Sequence, residues 1–112
     1  MVSTWAKKIF GEKTEEYAPL LEELEREAEK VGVDVWSIYE GLASIKDLIK
    51  STRDLKEVWR KMVELGEEAI GTGVDVEEIY HSLGSFKDLI KEKGDLKMIV
   101  ELEKEAMKAG VD

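Results

Sequence analysis

The chain has 112 residues, 38% of them charged and 43% apolar, with a formal net charge of −9, no cysteine and a single histidine. This is the length of one domain with a real core; the apolar fraction excludes disorder, and the lack of cysteine excludes disulfides and thiolate chemistry. Acidic charge spread along the whole chain opposes nucleic-acid binding, and no apolar run approaches the roughly 18 to 20 residues that span a bilayer.

Met1 to Phe10 lacks the apolar centre of a secretory signal, so a soluble, cytoplasmic protein is expected. Asn, Gln and Cys are all missing while Glu, Lys and Leu abound. That bias marks hyperthermophile proteins and also chains composed for helix propensity, including designed folds with no evolved function. Either origin implies a thermostable protein.

In chain order, Ser3 or Thr4 to Phe10 reads as a short helix stopped at Gly11, with Trp5 and Ile9 on one face. Thr14 then caps a long helix, Glu15 to Val31, in which Tyr17, Leu20, Leu21, Leu24, Ala28 and Val31 follow the spacing of an amphipathic helix. Pro19 removes a backbone donor, at a cost of about 3 kcal/mol in a helix interior, so a late start or a kink is expected there. Gly32 closes this helix and Asp34 caps the next, Val35 to Leu42, with Val33 turned inward between them.

Ser44 is expected to cap a further short helix, Ile45 to Lys50, and Asp54 a second long one, Leu55 to Ile70, with the stripe Leu55, Val58, Trp59, Met62, Val63, Leu65 and Ala69. After Gly71-Thr72-Gly73 the cycle recurs. Asp75 caps Val76 to Leu83, Ser85 caps Phe86 to Lys93, Gly94 stops that helix, and Asp95 caps Leu96 to Ala109.

The recurrence is an internal repeat: Gly32 to Leu55 and Gly73 to Leu96 lie 41 residues apart and agree at 15 of 24 positions without a gap. With the three helices of a unit written A, B and C, the order is B-C, A-B-C, A-B-C: a half repeat over 1–31, one repeat over 32–72 and another over 73–112. Counted back from the closing glycines Gly32, Gly73 and Gly110, the three C helices share Leu24, Leu65 and Leu102, so their apolar stripes are in phase. Such a unit cannot bury its apolar face alone, and a stacked neighbour supplies the partner. The expected fold is a single all-α domain over 1–112, a compact multi-helical bundle or short solenoid built from an internal repeat of about 41 residues.

Chemistry-bearing residues are largely absorbed by this scheme. Glu78 and His81 have the Glu-x-x-His spacing of di-iron carboxylate bundles, but the preceding unit has Ser37 and Glu40 there, which leaves half a site. His81, Ser85 and Asp88 suggest a nucleophile, yet Ser44 recurs at the Ser85 position with no histidine beside it, so the serine is explained as a cap. Calcium and phosphate loops are not present in the sequence. No catalytic, cofactor-binding or metal-binding residue is assigned.

The informative positions are those at which the units differ, Trp36 against Glu77 and His81 against Glu40. Trp5 and Trp59 read as core. Trp36 is expected to be covered by the N-terminal helices; the alternative is exposure as a partner contact, since exposed tryptophan is enriched at binding hot spots. Trp36, Tyr39 and His81 form the candidate partner-contact set.

The function expected is that of a non-enzymatic helical-repeat protein, an interaction module or scaffold that engages a protein partner or associates with itself. The alternative is a small-molecule or cofactor-binding bundle with Trp36, Tyr39, Trp59 and Tyr80 about an interhelical cavity. A helix-turn-helix reading of A and B is opposed by the charge.

Overall fold

In the computed structural model, which describes residues 4–110, six α-helices carry the chain: α1 (Thr4–Phe10), α2 (Thr14–Lys30), α3 (Val35–Ile45), α4 (Thr52–Thr72), α5 (Val76–Ser85) and α6 (Lys93–Lys108). Two 3₁₀ turns, Gly11–Lys13 and Lys46–Leu48, complete the regular structure, and no strand occurs among the described residues. The candidate cap Ser3 lies outside them. Asp34 and Asp75 open α3 and α5 as the sequence requires, each carboxylate accepting from the backbone N–H two residues on, Trp36 at 3.3 Å and Glu77 at 3.0 Å. Gly32 and Gly73 take the left-handed conformation, with φ of +79° and +76°, that ends a helix without a side-chain clash.

The short B helices are where expectation and structure part. Ser44 does not cap: α3 runs through it to Ile45, because continuing the helix carries Ile45 onto the buried face of Ile38 and Leu42. Only the single 3₁₀ turn Lys46–Leu48 stands in place of the expected second helix. Ser85 likewise lies inside α5, its hydroxyl donating back to the Ser82 carbonyl at 2.6 Å, and residues 86–89 form turns rather than a helix.

Helix starts are displaced for the same kind of reason. Asp54 and Asp95 are third residues of α4 and α6, not caps, and Gly94 lies inside the first turn of α6 instead of stopping a helix. The two carboxylates reach back to the N–H groups of Lys50 and Lys91, each at 3.0 Å, and Ser51 Oγ accepts from the Asp54 N–H at 3.2 Å. Thr14 is buried and donates to the Gly11 and Ala6 carbonyls at 2.6 and 3.4 Å, so it ties α1 to α2 rather than capping α2. Pro19 is accommodated without a break in α2, where it forgoes only the bond that its N–H would make to Glu15.

The helices fall into two layers. α3 packs against α1 and α5, α4 packs against α2 and α6, and α3, α4 and α5 also touch across the layers. α3 and α5 run the same way, since Gly41 faces Tyr80 and Ser44 faces Gly84. α4 and α6 do too: Lys93 pairs with Asp54 at their starts and Lys108 with Glu68 near their ends. Between the layers lies the core, with Leu55, Trp59, Met62 and Leu65 of α4 at its middle and Tyr17, Leu21 and Leu24 of α2, Ile38, Tyr39 and Leu42 of α3, and Tyr80 and Leu83 of α5 around them. The molecule measures 41 × 30 × 19 Å, and no helix among the described residues is long and apolar enough to cross a membrane.

Candidate functional site

The three residues selected from sequence occupy different surroundings. Trp36 is 53% exposed, which corrects the expectation of burial: the N-terminal helix meets it with the Trp5 ring, perpendicular to its own at 5.6 Å and 88°, and leaves about half of it open. Trp5 itself is half-buried and carries the Lys8 ammonium 5.3 Å from its ring centre. Tyr39 is 1% exposed and is corrected from partner contact to core residue, because it falls on the inner face of α3 beside Ile38 and packs edge-on to Trp59 at 5.3 Å. Its hydroxyl donates to the Glu25 carboxylate at 2.5 Å.

His81 is exposed on the flank of a polar groove between α3 and α5, of about 310 Å³, which Glu40, Ser44, Ser85 and Lys87 also border. Trp36 and Tyr39 border a different groove with Glu25 and Glu29. Tyr80 sits under the first groove and Trp59 is core, so the four aromatics do not surround one cavity. Ser85 gives its hydroxyl proton to the Ser82 carbonyl, and among the described residues no three His, Asp or Glu side chains are grouped to hold a metal ion.

A third groove, between α5 and α6, has a different character. It encloses about 270 Å³, its walls are Val74, Ile79, Phe86, Ile99, Leu102, Ala106 and Met107, and its polar members are Ser82 and Glu103. Leu102 is 56% exposed at its edge, whereas Leu65, its counterpart counted back from the closing glycine, is 0% exposed. Val33, Ile38 and Met62, the counterparts of Val74, Ile79 and Ile99, are buried as well, while these three are only partly covered. The difference has a plain cause: α5 is laid over α3 and α4, and no described element is laid over α5 and α6 in the same way.

Tyr80 shows what such a seat accepts. Its ring crosses Gly41, and its hydroxyl donates to the Met62 carbonyl at 2.6 Å. A Cβ at Gly66 would lie 2.7 Å from that hydroxyl and 2.8 Å from Val33, so the absence of a side chain is what admits the phenol. Burial, with the Asp34 charge adding to it, pushes the phenol well above its ordinary pKa.

Glu103 stands in the α5/α6 groove where Gly66 stands in the Tyr80 seat. Ser82 Oγ donates to its Oε1 at 3.4 Å, and its Oε2 is buried without a hydrogen-bond partner among the described residues. Burial pushes the carboxyl up to about 7, against the smaller pull of the Ser82 bond. An unpaired buried carboxylate oxygen is costly, and a hydrogen-bond donor brought to it removes that cost.

The strongest charged cluster is structural. Lys93 Nζ lies 2.6 Å from Asp54 and 2.7 Å from Glu57, which joins the starts of α4 and α6. The shared ammonium holds both carboxyls below their ordinary pKa, and the carboxylates raise that of Lys93.

Comparison of the chain with protein-family models, with curated proteins and with solved structures gives no match in any of the three.

Ser82, Phe86, Leu102 and Glu103 are not singled out by sequence patterning, which places Leu102 in the core stripe. A signal was available in the count from the closing glycines: the position seven residues before them reads Glu25, Gly66 and Glu103. A glutamate on the inner side of an apolar stripe requires a partner.

Proposed function

We propose that this chain is a non-enzymatic helical-repeat interaction module, with the 41-residue repeat as its stacking unit and the α5/α6 groove as its docking face for a protein partner. The observation that carries the reading is the exposure of Leu102 and Phe86 beside the groove, where their counterparts Leu65 and Ile45 are buried. Contiguous exposed apolar surface rimmed by polar groups is the mark of an interaction site, and a groove between two helices accepts the apolar face of a third. Its mixed apolar and acidic lining, on a chain of net charge −9, suits a peptide helix and repels a nucleic acid. The exposed Trp36 is a secondary contact, edge-on to Trp5 and remote from this groove in sequence.

The test is a titration of the ¹⁵N-labelled chain with amphipathic helical peptides. Chemical-shift changes gathered at Ile79, Phe86, Ile99 and Leu102, and lost in Leu102→Asp, are expected. Changes scattered over the surface, or insensitive to that substitution, would refute the assignment. The bias away from Asn and Gln makes the same module thermostable, with a melting temperature above about 90 °C expected by calorimetry.

A further inference from the structure

We propose that the helix received by the α5/α6 groove carries a tyrosine on its apolar face, and that the phenolic hydroxyl donates to the Glu103 carboxylate. This rests on the docking reading above and names the chemistry of the partner.

Glu25, Gly66 and Glu103 each stand seven residues before a closing glycine, Gly32, Gly73 and Gly110. At the first two positions a tyrosine hydroxyl arrives from the next helix of the chain. Tyr39 of α3 donates to Glu25, and Tyr80 of α5 passes over Gly66 to donate to the Met62 carbonyl. The chain thus contains two solutions to one docking problem: glutamate as acceptor, or glycine as vacant space with a backbone acceptor beyond it.

Glu103 is the glutamate solution repeated on α6: its side chain borders the groove and accepts the long Ser82 bond, and among the described residues no tyrosine meets it. Its Oε2 is buried and has no hydrogen-bond partner among the described residues. The apolar walls correspond as well: Val74 and Ile99 stand at the positions of Val33 and Met62, which lie beside Tyr80 at Gly66 and Gly41, and Ile79 at that of the buried Ile38.

The residues before each docked tyrosine give the rest of the motif. Val35 and Ile38 precede Tyr39, and Val76 and Ile79 precede Tyr80, so the recognised pattern is Val-x-x-Ile-Tyr on one helical face. A second copy of this chain does not fit as the partner, because Tyr17, Tyr39 and Tyr80 are all buried in its own core. The occupant proposed is a helix of this pattern on a partner protein, to which none of the chain's own three tyrosines is available.

The probe is a fluorescein-labelled peptide of residues 32–50, whose tyrosine is the one that meets a glutamate in this fold, titrated with the 112-residue chain at pH 8 by anisotropy. The expected result is saturable binding that weakens about ten-fold when the peptide carries Tyr39→Phe, since a hydrogen bond to a carboxylate is lost. With the Glu103→Leu chain the tyrosine and phenylalanine peptides are expected to bind alike, within about two-fold, because a hydroxyl without an acceptor gains nothing. The peptide substitution leaves the protein untouched, so no folding defect obscures it. Equal binding of both peptides to the native chain, abolished by Leu102→Asp, would overturn the tyrosine assignment and leave the groove standing. No binding of either peptide would overturn both.

Discussion

Replacing Gly66 by alanine probes the closest packing between α4 and α5. Alanine in a helix interior is favoured over glycine by about 1 kcal/mol, which by itself would stabilise α4. The added methyl, however, would sit 2.7 Å from the Tyr80 hydroxyl and 2.8 Å from Val33 Cγ1, distances that force one group to move. Tyr80 cannot retreat without stretching its bond to Met62, worth about 1 kcal/mol, and overpacking of a filled core adds about 1–3 kcal/mol. The net expectation is a loss of about 2 kcal/mol.

Gly71, in the same helix, has nothing within 4 Å of its Cβ position, so Gly71→Ala is expected to stabilise by about 0.5–1 kcal/mol. For 112 residues the unfolding entropy is about 0.2 kcal/mol/K, so the two variants should melt about 8 °C below and about 2–4 °C above the native chain. Guanidinium titrations with an unchanged slope give the same quantities as midpoints. A Gly66→Ala variant as stable as the native chain would refute the claim that the phenol is seated by the absence of a side chain.

Tyr80→Phe removes a buried hydroxyl bonded to Met62 and should cost about 1 kcal/mol in a urea titration; in that background Gly66→Ala should cost less, because the nearer of its two close contacts is gone. Glu103 should titrate near 7 by carboxyl ¹³C NMR, and since its folded pKa lies above the unfolded value of 4.5, the proton is held more tightly in the fold: its stabilisation is complete below about 4.5 and lost as pH rises through about 7. The unfolding midpoint of the native chain should therefore fall across that window relative to Glu103→Gln, and parallel profiles would contradict it. Iodide should quench the emission of Trp36 and leave that of Trp59 untouched, and Trp36→Phe should remove most of the quenchable fraction.

The site is less legible in the sequence than the fold, and the positions of failure say why. Ser44 and Ser85 have the residue type of a cap, but a serine also sits inside a helix when the next apolar residue gains by continuing it, as Ile45 does. Trp36, which differs from Glu77 at the counterpart position, reads as covered by the N-terminal helices; they leave it 53% exposed beside the perpendicular Trp5 ring. Glu103 reads as one more glutamate on an acidic helix, and only the packing of α5 against α6 buries its Oε2 in the groove between them.

The sequence by itself determined where α3 and α5 begin, where α2 and α4 end, and which face of each long helix is apolar, because caps, glycine turns and stripes are interactions between residues within about one turn of each other. Only the tertiary structure decided that Leu65 is buried and Leu102 exposed, and that the glutamates at positions 25 and 103 differ in having a tyrosine to meet. These residues have near-identical local settings. What separates them is whether another helix lies across them, and burial is a property of that neighbour rather than of the residue.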